Sequence, residues 1–281
     1  MRIIEVNQLT RKFDTLYAVN GISFSIDKGE VFGFLGPNGA GKTTTIRMLT
    51  GQLRPTSGSA LLNGVEVWTD PIELRKQIGI VFEYQNLYER MTGLENLEFA
   101  AELYRVKKSR VNDVLERVHL QQKAKQKVSH YSNGMKQRLL IARAVLHEPS
   151  ILFLDEPTRG LDPLIAREIR NLIMEIAQQG TTIFLTTHYM EEADQMCGRV
   201  AIMDQGKIIA LDRPIALKEA HGKRQLTIVT NAGKTISLDI KDPEDSKRLG
   251  NMALEGSIRF INSTLPSLED VFIQLTGKEL A

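Results

Sequence analysis

The sequence predicts an α/β fold: a parallel-sheet core, an antiparallel β subdomain, a helical insert and a small C-terminal α+β appendage. Three observations predict it. Short, almost wholly apolar runs (Val31–Leu35, Ile78–Phe82, Ile151–Leu154) read as strands buried on both faces, the mark of a parallel sheet. From about Leu87 to Pro149 strand signals vanish and apolar residues recur at helical spacing. After Gly222 alternating strands restart around turn residues. The expected organisation is one unit over residues 1–220, with its helical insert at about 87–149, and an accessory unit over 223–281.

The totals narrow the class. At 281 residues the chain is long for one domain and short for two large ones. A net charge of +2 lacks the basic excess of nucleic-acid binders, so no nucleic-acid partner is expected. No apolar run approaches the length that spans a bilayer, and Met1–Val6 reads as a strand rather than a signal peptide. The lone Cys197 excludes an intrachain disulfide, and five scattered histidines form no metal pattern. A cytosolic chain fits these features.

Taken in order, Ile3–Val6 and Ile22–Ile26 show β-type spacing, and Asp27-Lys28-Gly29-Glu30 is a turn before the Val31–Leu35 strand. Phe13 lies among polar residues, Thr10-Arg11-Lys12-Phe13-Asp14. It either stacks on a base from a loop or tucks into the sheet.

Next comes Gly36-Pro37-Asn38-Gly39-Ala40-Gly41-Lys42-Thr43-Thr44, which fits G-x-x-x-x-G-K-[ST] between a strand and a helix. Glycines let backbone N–H groups close around an anion, and the following helix points its positive end at the same place. Lys42 supplies a mobile charge for the β- and γ-phosphates, and the Thr43 hydroxyl is placed to ligate Mg²⁺. This is the phosphate-binding loop of a P-loop NTPase core.

Asn63-Gly64 between two short strands reads as a hairpin, and Asp70-Pro71 opens a helix through Lys76. In the insert, Leu94, Leu97, Ala101 and Tyr104 share one helix face. Val111, Val114, Leu115 and Val118 share another. A third helix spans Ser132–Leu146, and the lysines at 107, 108, 123, 125 and 127 read as a solvated face.

Ile151-Leu152-Phe153-Leu154-Asp155-Glu156 is a buried strand ending in two acids, at the sheet edge where open α/β folds bind ligands. Paired acids there are costly without a cation. Asp155 is read as the Mg²⁺ carboxylate and Glu156 as the group that polarises an attacking water. The loop Thr158–Pro163 leads into a helix over Leu164–Gln178. The strand Thr181–Thr187 ends in His188, which either touches the γ-phosphate and its water or merely caps the strand. A helix over Glu191–Met196 and a hairpin at Asp204-Gln205-Gly206 follow, and Cys197 reads as packing. The appendage holds strands at Gln225–Val229, Thr235–Ile240 and Ile258–Ile261, a polar helix over Pro243–Leu254, and a final helix bearing Leu268, Val271, Phe272 and Leu275.

Over roughly residues 1–220 these motifs together resemble the ATP-binding cassette (ABC) transporter ATPases. Tyr131-Ser132-Asn133-Gly134-Met135-Lys136-Gln137-Arg138 resembles their L-S-G-G-Q signature, just upstream of the acidic strand. Thr158-Arg159-Gly160-Leu161-Asp162 resembles the D-loop, which adds Asp162 to the expected nucleotide contacts. His188 resembles the switch histidine, and Phe13 falls where the family stacks an aromatic on adenine. The resemblance implies Mg²⁺-dependent ATP hydrolysis in a head-to-tail pair of cassettes, each ATP held by the phosphate loop of one and by Ser132 and Gly134 of the other. A membrane permease partner and a peripheral place at the cytoplasmic face of the membrane follow from it. Ser132 begins a helix, so its hydroxyl and the helix N-terminus can meet a phosphate from outside. Where the family has a Gln after the second core strand, touching Mg²⁺ and water, counting back from Leu87-Tyr88 places Glu83; Gln85 falls two residues late. A carboxylate at this position is expected to bind Mg²⁺ more strongly and change the metal dependence of turnover. The run Leu265–Phe272 followed by Leu275-Thr276-Gly277 resembles the tail of bacterial drug-exporter cassettes, leaning the reading toward export. The alternatives are a soluble cassette ATPase and an ATP sensor without transport.

Overall fold

A computed structural model describes residues 1–221, 225–239, 242–264 and 266–277. Gly222, the expected strand end at Ile240 and the start of the exporter-like tail at Leu265 lie outside the described residues. The chain divides into two compact units, Met1–Leu211 and Asp212–Ala281.

The first half of unit one contains β1 (Arg2–Phe13), β2 (Leu16–Asp27), β3 (Val31–Leu35), α1 (Lys42–Leu49), β4 (Ser57–Leu62), β5 (Val65–Glu66), α2 (Pro71–Gln77) and β6 (Ile78–Val81). Then follow α3 (Gly93–Tyr104), α4 (Lys108–Arg117), α5 (Asn133–Val145), β7 (Ile151–Asp155), α6 (Pro163–Gln178), β8 (Thr182–Thr187), α7 (Met190–Met196), β9 (Arg199–Asp204) and β10 (Lys207–Asp212).

Two sheets form. The antiparallel one runs β2-β1-β4-β5, and the core sheet runs β10-β9-β3-β8-β7-β6. In the core sheet β6, β7, β8, β3 and β9 pair in parallel. Strands β3, β7 and β8 are buried at every residue, which is why they read as unbroken apolar or β-branched runs. Phe184 sits among Phe24, Phe32, Phe34 and Phe153 at centroid separations of 5.4–6.2 Å. These rings join the antiparallel sheet to the core sheet in one apolar cluster.

The first hairpin is longer than its apolar spacing predicts. Strand β1 continues through the polar segment to Phe13, which pairs with Leu16 across a two-residue tip. Ladder hydrogen bonds carry it there, where no alternation of apolar residues marks it.

In the insert, Thr92 caps α3 in a capping box with Glu95, and Asn96 ties the preceding loop down through Tyr88. The five insert lysines are exposed. Just after α5, His147 stacks on Tyr104 at 4.0 Å and donates from Nε2 to Ile78 O at 3.0 Å. Burial holds the His147 pKa below its ordinary 6.5, and the hydrogen bond to Ile78 offsets this only in part. The folded chain therefore binds this proton less readily than the unfolded one. The stability tied to the neutral ring is full above the ordinary value and is lost as pH falls below it. Urea midpoints measured from pH ~7.5 to ~5 should fall, and less steeply for His147→Phe.

Unit two opens with α8 (Pro214–His221), followed by β11 (Gln225–Thr230), β12 (Thr235–Asp239), α9 (Pro243–Leu254), β13 (Ile258–Thr264) and α10 (Leu268–Thr276). Its sheet runs β12-β11-β13. Helix α8 packs on α10, so the division falls before α8 and not at residue 220. The signal for α8 is Pro214 at its first position.

Candidate functional site

Parallel strands carry the site. The C-terminal ends of β3, β6, β7 and β8 lead into Gly36, Glu83, Glu156 and His188 respectively. The register Asp155↔Thr186 and Leu35↔Thr187 sets these ends side by side.

The loop between β3 and α1 needs its glycines. Gly36 and Gly41 have φ of +154° and +111°. An added Cβ would stand 2.3 Å from Met203 O at Gly36 and 2.3 Å from Ala18 O at Gly41. Lys42, 6% exposed, turns back into the loop. Its Nζ donates to Gly36 O at 2.6 Å and Pro37 O at 3.3 Å, and lies 3.3 Å from Glu156 Oε1. A cavity of about 600 Å³ is lined by Pro37, Asn38, Gly39, Gly41, Lys42, Thr43 and Thr44, with Leu16, Tyr17, Ala18, Glu83, Glu156 and Gln205 around them. Ala40 is buried beneath the loop.

The two acids are buried, at 1% for Asp155 and 7% for Glu156. Asp155 Oδ1 accepts from Thr186 Oγ1 at 2.5 Å, while Oδ2 is buried without a hydrogen-bond partner. Glu156 adopts a left-handed φ of +51°, and its N–H donates to Thr186 O at 3.0 Å. Its Oε2 accepts from His188 Nδ1 at 2.8 Å, and its Oε1 has only the ionic contact with Lys42. His188 is thus bonded to Glu156, more than a strand cap. The arrangement holds one carboxylate between the Lys42 ammonium and the His188 imidazole, with one oxygen that no hydrogen bond occupies.

Glu83 lines this cavity and a second of about 550 Å³, where Phe13, Thr43, Thr44, Arg47 and Asp155 also lie. Its carboxylate pairs with Arg159. Gln85 is exposed and lines neither cavity. Phe13 ends β1 and is 41% exposed, with the Arg11 guanidinium 4.4 Å over its ring.

Three residues beyond the sequence reading join the site. Thr186 holds Asp155, Arg159 holds Glu83, and the exposed Tyr17 lines the phosphate-loop cavity. An aromatic just past the Phe13–Leu16 tip is the only sequence signal for Tyr17; the other two depend on long-range pairing.

Ser132, Gly134 and Asp162 line neither of these cavities. Ser132 caps α5, accepting from Met135 N at 3.3 Å, and is exposed; exposed Asp162 precedes α6. Tyr131 is buried and donates to Lys123 O at 2.8 Å, pinning the start of the segment. Gly134 is buried where α5 meets α6: an added Cβ would stand 2.5 Å from Ile165 Cγ2. Gly134→Ala is therefore expected to destabilise the chain by about 1–3 kcal/mol in urea unfolding, with Ile165→Ala recovering part of the loss.

A family model described as ABC transporter matches residues 19–159. The chain is 38% identical over 284 residues to a fluoroquinolones export ATP-binding protein of Mycobacterium tuberculosis, covering 99% of this chain and 94% of that one. This chain belongs to the ABC transporter ATPases. The cassette is also 36% identical over 298 residues to a bacitracin transport ATP-binding protein of Bacillus licheniformis, covering 98% of this chain and 97% of that one. Its fold matches an ATP-binding cassette solved as a dimer in a post-hydrolysis state with ADP and Pi, at TM-score 0.68 and 27% identity over 75% of this cassette and 98% of that chain. The cassette therefore binds ATP and hydrolyses it as its family does.

Proposed function

We propose that this cassette powers a membrane exporter, working as a head-to-tail pair closed by ATP and opened by hydrolysis. The observation that carries the hydrolytic part is Glu156, held between Lys42 and His188 on the wall of the phosphate-loop cavity. The separation of Ser132, Gly134 and Asp162 from the phosphate loop supports pairing, because a second cassette is needed to bring them to the nucleotide. Its relatives' names, fluoroquinolones export and bacitracin transport, support export of a drug-like cargo.

ATP phosphates enter the loop at Gly36–Thr44, and Lys42 exchanges Gly36 O and Glu156 for phosphate oxygens. Glu156, relieved of Lys42, accepts the proton of the attacking water, and His188 Nδ1 keeps its other oxygen oriented. Phe13, on the outer cavity beside Thr43, stacks on the base. The unpartnered Asp155 Oδ2 fits a cation. Among the described residues no group of three or more His, Cys, Asp or Glu forms a metal cage. That suits Mg²⁺, which takes few protein ligands and shares phosphate oxygens. Thr43, Asp155 and Glu83 would hold Mg²⁺, which when bound neutralises phosphate charge.

Among the described residues no helix is long and apolar enough to cross a membrane. A permease partner then places the cassette at the cytoplasmic face. The test is fractionation of its native cells after crosslinking. The cassette should sediment with membranes, joined to a membrane-spanning protein. Recovery wholly in the soluble fraction without such a crosslink would overturn the transport reading.

A further inference from the structure

The Glu83–Arg159 pair joins two loops that belong to different strands of the core sheet. One follows β6, and the other lies between β7 and α6. The side chains are 24% and 44% exposed, so the pair contributes little to folding. Its position matters more than its strength. Glu83 lines both cavities beside Thr43, and Asp155 and Glu156 each line one of them. Without Arg159, three carboxylates would face Lys42 and Arg47 where a polyanion must enter.

We propose that Arg159 is a positioning residue for nucleotide binding: it acts as the counter-ion of Glu83 and releases that carboxylate when nucleotide and Mg²⁺ arrive. The proposal rests on the reading of Gly36–Thr44 as the ATP site. A partly exposed pair suits such an exchange, because breaking it costs little. Before exchange, Arg159 cancels the repulsion between Glu83 and the phosphates. Afterwards, a carboxylate is free on the metal side of the pocket.

The experiment is binding of a fluorescent ATP analogue to the full chain, in EDTA and in Mg²⁺, for wild type, Arg159→Ala, Arg159→Lys, Glu83→Gln and the double variant Glu83→Gln/Arg159→Ala. Arg159→Ala should weaken metal-free binding about three- to tenfold and weaken Mg²⁺-supported binding less. Arg159→Lys should stay near wild type. Glu83→Gln should bind metal-free nucleotide more tightly than wild type, and the double variant should lose the Arg159→Ala penalty. If Arg159→Ala does not fold, tighter metal-free binding by Glu83→Gln still supports the proposal, and unchanged binding overturns it. An Arg159→Ala penalty of equal size in the wild-type and Glu83→Gln backgrounds would reduce the pair to a structural clasp and overturn it. Wild type that binds nucleotide in neither buffer would bring down the ATP-site reading as well. Wild type that binds, beside an indifferent Arg159→Ala, would sink this proposal alone.

Discussion

Glu156→Gln is expected to cut ATP turnover by about 10²–10⁴-fold while ATP still binds. The substitution keeps the shape of the side chain and its contact with His188, and removes the group that takes the proton of water. It also removes a buried negative charge 3.3 Å from Lys42, so phosphates should bind at least as tightly. Gel filtration with ATP and Mg²⁺ should show the variant held as a dimer while wild type cycles. Turnover within about threefold of wild type would remove Glu156 from the role of base.

Lys42→Ala is expected to weaken ATP binding by about 2–3 kcal/mol, or ~30- to 150-fold, from lost charge-assisted contacts to phosphate. It should also lower folding stability without nucleotide. Lys42 is 6% exposed and gives Glu156 Oε1 its only contact, so its removal leaves a buried carboxylate held by His188 alone. The combination Lys42→Ala/Glu156→Gln separates the two effects. Stability should return, because no buried charge is stranded, while ATP binding stays weak. Thermal unfolding and nucleotide titration on the same samples decide it. Stability that does not return would place the loss in packing of the Lys42 stem.

How much of this is legible depends on how far along the chain each interaction reaches. The phosphate loop can be read because its cause is local: a buried strand, glycines at positive φ and a helix start within about a dozen residues. The insert helices can be read from their apolar faces and caps, and the acid pair from the apolar strand before it. Glu83, reached by counting back from Leu87, lines both cavities.

Sequence alone determined the P-loop core, its ATP chemistry and which side chains were available to perform it, because these follow from backbone conformation and residue type over short spans. Tertiary structure decided how those side chains are paired. The strand ends of β3, β6, β7 and β8 bring Lys42 to Glu156, Glu156 to His188, Asp155 to Thr186 and Glu83 to Arg159. No periodicity connects partners so far apart in the chain. It also decided that Gly134 packs against Ile165, whatever else it touches, and that α8 belongs to the second unit. Such pairings are set by parallel register and by burial of facing surfaces, and both exist only once the sheet has formed.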